Sequence, residues 1–300
     1  MTRAGSRAGT RRARTSLSGQ RSGDVGQGNL RRFTLSAWAL SASVLAQRCD
    51  RTALFDLLGF LHWLGDQNAA AIRQGHPPLP CKSGCSYCCY VGPDRPDLLG
   101  PEVLRIAAFL GDAGGRRLAE VRARLNRSRV PAGDSTGREP GRQPCLFLDQ
   151  ERCLIYPVRP LRCRAQYSPD VEACRQYHVG QRPTMPLLSE LALLYQSLLV
   201  GFRLGMEEEG LSAADLALEG AIRAALREPD ASRRWLNCEP LFEASRLPDQ
   251  ADEEKLMVRL ARQARREVQG EKGRLEQLVT AFMDKPGAWC LYSTTGVAPR

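Results

Sequence analysis

The 300-residue chain lacks any long, uncharged apolar run. A helix that spans a bilayer needs about 20 such residues, and the longest charge-free stretch near the start, residues 33–47, contains several serines. The sequence therefore predicts no membrane span. It also lacks the glycine-rich strand–turn–helix motif that binds nucleotides and an evident set of acid and base residues for catalysis. Neither kind of motif therefore indicates a catalytic class.

The positive charge is concentrated in one segment. Residues 1–33 contain eight arginines and one acidic residue, Asp24, and thus carry +7 of the formal net charge of +10. A basic tail rich in Gly, Ser and Thr predicts disorder, whereas a nucleic-acid-binding fold would carry its charge on a folded face. The sequence therefore disfavours nucleic acid as a partner.

The Arg31-Arg32-Phe33 sequence and the apolar residues after it are similar to a twin-arginine export signal. However, the apolar pattern does not stop at Ala46 but continues at helical spacing through Leu61. We therefore expect a first helix and a cytoplasmic protein, with export as the alternative.

Eleven cysteines are present, and eight of them are clustered. Clustered thiols either form disulfides or, as thiolates, hold a soft metal or an iron–sulfur cluster. An odd cysteine count in a long chain with a sizeable core fits complete disulfide pairing poorly. The sequence therefore predicts reduced thiols that bind metal, and the candidate ligands are Cys81, Cys85, Cys88, Cys89, Cys145, Cys153, Cys163 and Cys174.

The spacing within this set leaves the number of centres open. The two-residue spacer between Cys85 and Cys88 lets both thiolates reach one centre, and Gly84 permits a tight turn before them. We expect the adjacent side chains of Cys88 and Cys89 to diverge, so that one of them serves a second site or supports the first. The CxxxCx-aromatic-C pattern also matches radical S-adenosylmethionine enzymes, but the predicted helical architecture argues against their barrel.

Polar residues around the cysteines are expected to tune the centre. A four-thiolate zinc site or cluster is anionic, and guanidinium groups would offset its charge. The predicted cofactor-binding residues are Arg159, Arg162, Arg164 and, as a hydrogen-bond donor to sulfur, Tyr156.

The remaining cysteines and the histidines are given ordinary roles. Cys49, Cys238 and Cys290 are interpreted as core residues. His178 is the one plausible imidazole ligand, although an exposed loop position is favoured for it.

The predicted fold class is mainly α, a helical protein with a cysteine-rich metal-binding loop module and one small β-hairpin. The hairpin is placed at Cys145–Leu148 and Cys153–Tyr156. Ser212 is expected to cap a helix that runs to about Arg227. The predicted divisions are a disordered tail at 1–33, N-terminal helices at 34–78, the cysteine module at 79–178, a helical part of the same domain at 179–245, and a charged helical extension at 246–300.

Two segments, HPPLPCKSGCSYCC and PCLFLDQERCLIYPVRPLRCR, resemble the YkgJ-type cysteine-cluster family. Its pattern is CxxxCxxCC followed by PCxFLxxxxCxIYxxRPxxCR, and Cys174 fits its usual trailing cysteine. The resemblance covers roughly residues 76–245, including the helical stretch before residue 245. It matches all seven cysteines of the pattern together with Pro144, Tyr156, Arg159, Pro160 and Arg164.

The resemblance implies a protein that binds zinc or iron and whose activity is unassigned. We predict an iron–sulfur cluster, of the [4Fe–4S] type, ahead of zinc, because the chain has a single CxxC unit where double zinc knuckles have two. The alternative, carried by the cysteine pattern alone, is an iron–sulfur-dependent enzyme related to flagellin lysine N-methylase, which would transfer methyl groups to protein.

Overall fold

The structure, a computed structural model, describes residues 21–82, 84–91, 97–112, 114–127 and 142–248, and scattered positions between 277 and 289. The first 20 residues of the predicted tail, residues 128–141 of the cysteine module, most of the charged extension and Cys290 lie outside the described residues.

The described part is mainly helical, as predicted. None of its helices is long and apolar enough to cross a membrane. The helices are α1 Arg21–Gln47, α2 Arg51–Gln74, α3 Gly100–Asp112, α4 Gly115–Arg127, α5 Leu161–Arg164, α6 Val171–His178, α7 Ser189–Glu208, α8 Leu218–Arg227 and α9 Ala231–Leu236. The strands are β1 Tyr90–Val91, β2 Gln143–Pro144, β3 Leu148–Asp149 and β4 Arg152–Cys153.

Helices α1 and α7 pack closely because α7 presents two glycines to α1. A Cβ atom on Gly201 would lie 2.3 Å from the carbonyl oxygen of Thr34, and one on Gly205 would lie 2.5 Å from Cβ of Ser41. The contacts advance in the same direction along both helices, so the two helices run roughly parallel. Any side chain at these glycines would push the backbones apart.

Helix α2 supplies much of the core and has clear ends. Asp50 caps it by accepting a hydrogen bond of 2.8 Å from the backbone N–H of Ala53. The helix ends at Gln74, before Gly75. Its fully buried leucines, Leu54, Leu57, Leu58 and Leu61, follow the helical spacing seen in the sequence.

Two predicted boundaries differ from the structure. Helix α1 begins at Arg21, so the predicted limit of the tail at residue 33 falls inside the helix; residues 21–47 contain no proline that would stop it. The expected cap at Ser212 is also wrong, since α8 begins at Leu218. The intervening chain is extended because Leu216 forms backbone bridges with Leu98 and Arg246.

Part of the predicted C-terminal extension packs on the core. The ring of Trp289 lies 5.0 Å from Phe60 and 5.2 Å from Trp63, both on α2. Phe282 packs edge-on against Phe60 at 5.9 Å. These aromatic contacts cover the outer side of α2.

The predicted β-hairpin is confirmed, but it is shorter than expected. Leu148 pairs with Cys153 and Asp149 with Arg152. Gln150 and Glu151 have φ values of 43° and 61°, the left-handed conformation that a tight two-residue turn requires. A second antiparallel ladder, which the sequence analysis missed, joins β1 to β2 across more than fifty residues of chain.

Candidate metal centre

The missed ladder brings the two cysteine segments together. The turn at Tyr87–Cys89 leads directly into β1. The backbone N–H of Cys145 donates a hydrogen bond of 2.7 Å to the carbonyl of Cys89. The hairpin then places Cys153 opposite Leu148, three residues after Cys145. Three cysteines from distant parts of the sequence thus meet through backbone pairing alone.

Cys163 is positioned through a buried carboxylate. Glu102 on α3, only 3% exposed, accepts hydrogen bonds from the backbone N–H groups of Leu161, at 2.9 Å, and Leu99, at 3.0 Å. Burial raises the pKa of Glu102, although these two hydrogen bonds oppose the shift. The contact anchors the start of α5, whose third residue is Cys163.

Ser168 connects Cys81 to the start of α6. Its backbone N–H donates to Sγ of Cys81 at 3.2 Å, and its hydroxyl accepts from the backbone N–H of Asp170 at 3.2 Å. Asp170 caps α6 by accepting from the N–H of Ala173 at 3.0 Å, which fixes the helix that carries Cys174. Ser168 and Glu102 are positioning residues that the sequence analysis missed; only the Ser-Pro-Asp start of α6 gave a local signal.

Seven of the eight candidate ligands line one cavity of about 630 Å³. This volume is in the range of small-molecule and cofactor sites, about 300–1,000 Å³. Cys174 is buried beside it. The cysteines that line the cavity are Cys81, Cys85, Cys88, Cys89, Cys145, Cys153 and Cys163.

The cavity wall is rich in positive charge. Apart from the thiols and tyrosines, the ionisable side chains that line the cavity are four cations, Arg73, Lys82, Arg152 and Arg159, and one carboxylate, Glu151. An excess of cations around clustered sulfurs favours thiolates over thiols.

Arg159 is the most buried of these cations. Its guanidinium carbon lies 4.0 Å from the ring centre of Tyr156, and its Nε is buried without a hydrogen-bond partner among the described residues. Burial lowers the pKa of Arg159, but Tyr156, Tyr167 and Asp66 together raise it by more, so the group stays charged. A buried charge of this kind requires negative charge nearby, which metal-bound thiolates would supply.

Cys88 and Cys89 line the same cavity, although the sequence analysis expects their side chains to diverge. Their thiols hydrogen-bond to each other, which lowers the pKa of Cys88 to about 7 and raises that of Cys89.

The deeper thiols are costly to ionise on their own. Burial, assisted by neighbouring thiolates, raises the pKa of Cys153 to about 11 and raises that of Cys163 well above its usual value. A bound metal cation would reverse this cost, since it stabilises each thiolate directly. The donor set therefore fits a soft metal or an iron–sulfur cluster.

The other predicted cofactor-binding arginines have carboxylate partners. Arg162 lies 3.3 Å from Asp97 and 3.4 Å from Asp215. Arg164 is 5% exposed and pairs with Asp66 at 2.8 Å, outside the lining of the cavity. Their role toward a cofactor remains a prediction.

The remaining predicted residues lie away from the cavity. His178 is the last residue of α6, half-buried rather than in an exposed loop, with its ring 4.3 Å from that of Tyr90. Cys49 and Cys238 are exposed, so their interpretation as core residues is wrong. The ten described cysteines are all free thiols.

A second cavity of about 560 Å³ adjoins the first. Cys88, Val91, Cys163 and Gln166 line both cavities. The second cavity also contains Arg162 with its partner Asp97 and the apolar face of α7. The thiols of Cys88 and Cys163 therefore form part of the wall between the first cavity, which is rich in sulfur, and the second, whose lining is both polar and apolar.

Within the part of the chain that the structure describes, no three Cys, His, Asp or Glu side chains already form a single-ion site. The clustered thiols and cationic wall nevertheless define a thiolate-rich, metal-binding type of domain. Residues 80–180 match the family CxxCxxCC, described as "Putative zinc- or iron-chelating domain", and the chain is similar to that family over this segment. No curated protein and no solved structure is significantly similar to the chain.

Proposed function

We propose that the 80–180 domain binds an iron–sulfur cluster through its cysteine thiolates and serves as a metal-binding module. The observation that carries the proposal is the cavity of about 630 Å³ lined by seven cysteines. It is about twenty times the roughly 30 Å³ that one water occupies in the liquid, so it has room for a multi-atom cluster. When bound, such a cluster would supply one-electron transfer.

The protein groups around the cavity would have separate roles. Arg159 would offset the negative charge of the cluster from its buried position. Tyr156 would hold the guanidinium in place by stacking. The N–H of Ser168 would donate to the sulfur of Cys81, a contact that stabilises a thiolate.

Anaerobic purification of the full chain tests this proposal. We expect brown protein with iron and acid-labile sulfide in equal amounts, and loss of both in Cys153→Ser. Cys238→Ser, which changes an exposed cysteine outside the cavity lining, is the matched control and should retain both. A colourless protein that holds stoichiometric zinc would overturn the preference for iron–sulfur while supporting a thiolate metal site.

The second candidate function is an enzyme that acts at the same centre, such as the methyl transfer implied by the resemblance. The adjoining cavity of about 560 Å³ favours it, since a substrate there would touch Cys88 and Cys163. An enzyme of this kind would keep one metal position open.

Electron paramagnetic resonance of the reduced protein separates the two functions. Cyanide should leave the spectrum of a closed module unchanged and should shift that of a centre with an open position. Ala192→Trp, which would fill the second cavity, should abolish such a shift if the cavity is the route of access.

A further inference from the structure

Two exposed cysteines outside the metal domain lie at the same end of the helical frame. Helices α1 and α7 run parallel and meet at Gly205, where a Cβ atom would lie 2.5 Å from Cβ of Ser41. Helix α1 ends six residues after this contact, and α7 ends three residues after it. At 1.5 Å per residue, the two ends lie within about 5 Å of each other along the helix axes. Cys49 is the second residue after α1, at this end.

The other cysteine, Cys238, reaches the same end from α9. Its thiol donates a hydrogen bond of 3.6 Å to the carbonyl of Gly210, which is the second residue after α7. Both cysteines thus lie beside the end of α7. Burial first and the thiolate of Cys238 next raise the pKa of Cys49, as expected of two sulfurs that lie close together.

The backbone at Cys238 is unfavourable for a residue with a side chain. The backbone N–H of Glu239 donates to the carbonyl of Arg234, and that of Cys238 donates to the carbonyl of Trp235, both at 3.0 Å. This pair of bonds is the turn that ends many helices and places one residue in the left-handed conformation, usually a glycine. On α7 that residue is Gly210, with φ of 72°, whereas on α9 it is Cys238, with φ of 57°. The cysteine therefore occupies a position that glycine would fill at a lower cost.

Core packing does not explain the two cysteines. Both are exposed, so their side chains add little to the core. Among the described residues, no third Cys, His, Asp or Glu side chain joins them in a single-ion site. Two neighbouring thiols that solvent can reach have a further chemistry, the formation of a disulfide.

We propose that Cys49 and Cys238 form a reversible disulfide that joins the end of α1 to the end of α9. The oxidant is a small-molecule disulfide such as glutathione disulfide. One cysteine, after losing its proton to water, attacks a sulfur of the oxidant and releases one glutathione thiolate. The second cysteine, also deprotonated, attacks the mixed disulfide, forms the bond within the chain and releases the second glutathione. The two cysteines together lose two protons and two electrons, and one glutathione disulfide becomes two glutathione molecules.

The disulfide would close a loop that contains the whole metal domain. Its two cysteines are 189 positions apart, and residues 80–180 lie between them. A cross-link stabilises a fold chiefly by restricting the unfolded chain, and the effect grows with the length of the loop. Oxidation would therefore strengthen the helical frame without using any of the eight clustered cysteines.

Peptide mapping of the full chain tests the proposal. The protein is treated with glutathione disulfide, the remaining thiols are blocked with N-ethylmaleimide, and the chain is digested with trypsin. Cleavage at arginine releases residues 49–51 and residues 235–246, each with a single cysteine. We expect mass spectrometry to find these two peptides joined to each other, and reduction to separate them.

The variant Cys49→Ser is the matched control, because it keeps Cys238 and all eight clustered cysteines. It should lose the joined peptides and carry one glutathione on Cys238. The oxidised natural chain should melt about 4–8 °C above the reduced chain, and this difference should be absent in Cys49→Ser. An equal difference in the variant would place the effect of oxidation at other thiols and overturn the stabilising role.

The natural chain decides the matter even if the variant fails to fold. Glutathione on both cysteines without the joined peptides would show that the two sulfurs do not meet, and would overturn the proposal. Joined peptides found only in disulfide-linked dimers of the chain would also overturn it. Two unmodified thiols after treatment would do the same.

Discussion

Arg164 offers the sharpest test of how the fold supports the cysteine module. Its guanidinium contacts both oxygens of Asp66, at 2.8 and 3.1 Å, and donates to the carbonyls of Pro157, at 2.6 Å, and Arg159, at 3.1 Å. It therefore fixes the turn that carries Arg159 and the helix that carries Cys163 to α2. Replacing Arg164 should destabilise the fold through these contacts.

The expected loss of unfolding free energy follows from the burial of the ion pair between Arg164 and Asp66. Removing one partner of a buried ion pair costs about 3–5 kcal/mol. Arg164→Met should lie at the lower end, about 3 kcal/mol, because Asp66 is 29% exposed while Arg164 is 5% exposed. Arg164→Lys keeps the charge beside Asp66 but loses the planar fork, so the two carbonyls lose their donors at a cost of about 1–3 kcal/mol.

Urea unfolding of the full chain, followed by circular dichroism, measures both variants. Arg175→Met is the matched control, because Arg175 makes two contacts of similar length with Glu172, at 2.8 and 2.6 Å. That pair is exposed, at 49% and 56%, and should contribute little to stability because water screens it. Equal losses of stability in Arg164→Met and Arg175→Met would refute the reasoning from burial.

Three further predictions concern packing, pH and metal. Gly205→Ala should lower the unfolding free energy by about 1–3 kcal/mol, because its Cβ would lie 2.5 Å from α1, whereas Gly111→Ala, with open space around it, should be neutral or stabilising in thermal unfolding. Burial opposes ionisation of Asp50, but Arg48 and the backbone of α2 outweigh it and lower the pKa of Asp50 overall. A carboxyl group with a lowered pKa stabilises the fold through its ionised form, so the loss of stability in Asp50→Ala at neutral pH should vanish as the pH falls below about 4. Chelation should expose residues 79–178 to protease while α7 stays protected; unchanged cleavage of that segment would contradict a metal-organised module.

The sequence predicted the elements whose signal is local. The helical spacing of α2 and the two strands of the hairpin both lie within short windows, and both elements are present in the structure. The ladder between β1 and β2 is two residues long on each side, too short to show any periodicity. Ser212 was expected to cap a helix because the local sequence does not reveal the backbone bridges that hold the chain extended there. These bridges join Leu216 to the distant residues Leu98 and Arg246.

The same limit applies to the candidate site. The sequence predicted which cysteines cluster, and seven of the eight share a cavity. It could not distinguish Arg159, which faces that cavity, from Arg164, which lies against Asp66, since both lie within four residues of Cys163 in the sequence. Nor could it identify Glu102, whose contact with Leu161 joins residues far apart in the chain.

The close packing of α1 on α7 affects how the chain folds during synthesis. Ser189, the first residue of α7, follows the last residue of α1, Gln47, by 142 positions. At roughly 5–20 residues per second, the ribosome would need about 7–28 s to deliver that partner. Throughout this interval the buried face of α1 would have no glycine-bearing helix to cover it. Folding from the N-terminus onward is therefore disfavoured, and the nascent chain would present an apolar helix to chaperones until α7 emerges.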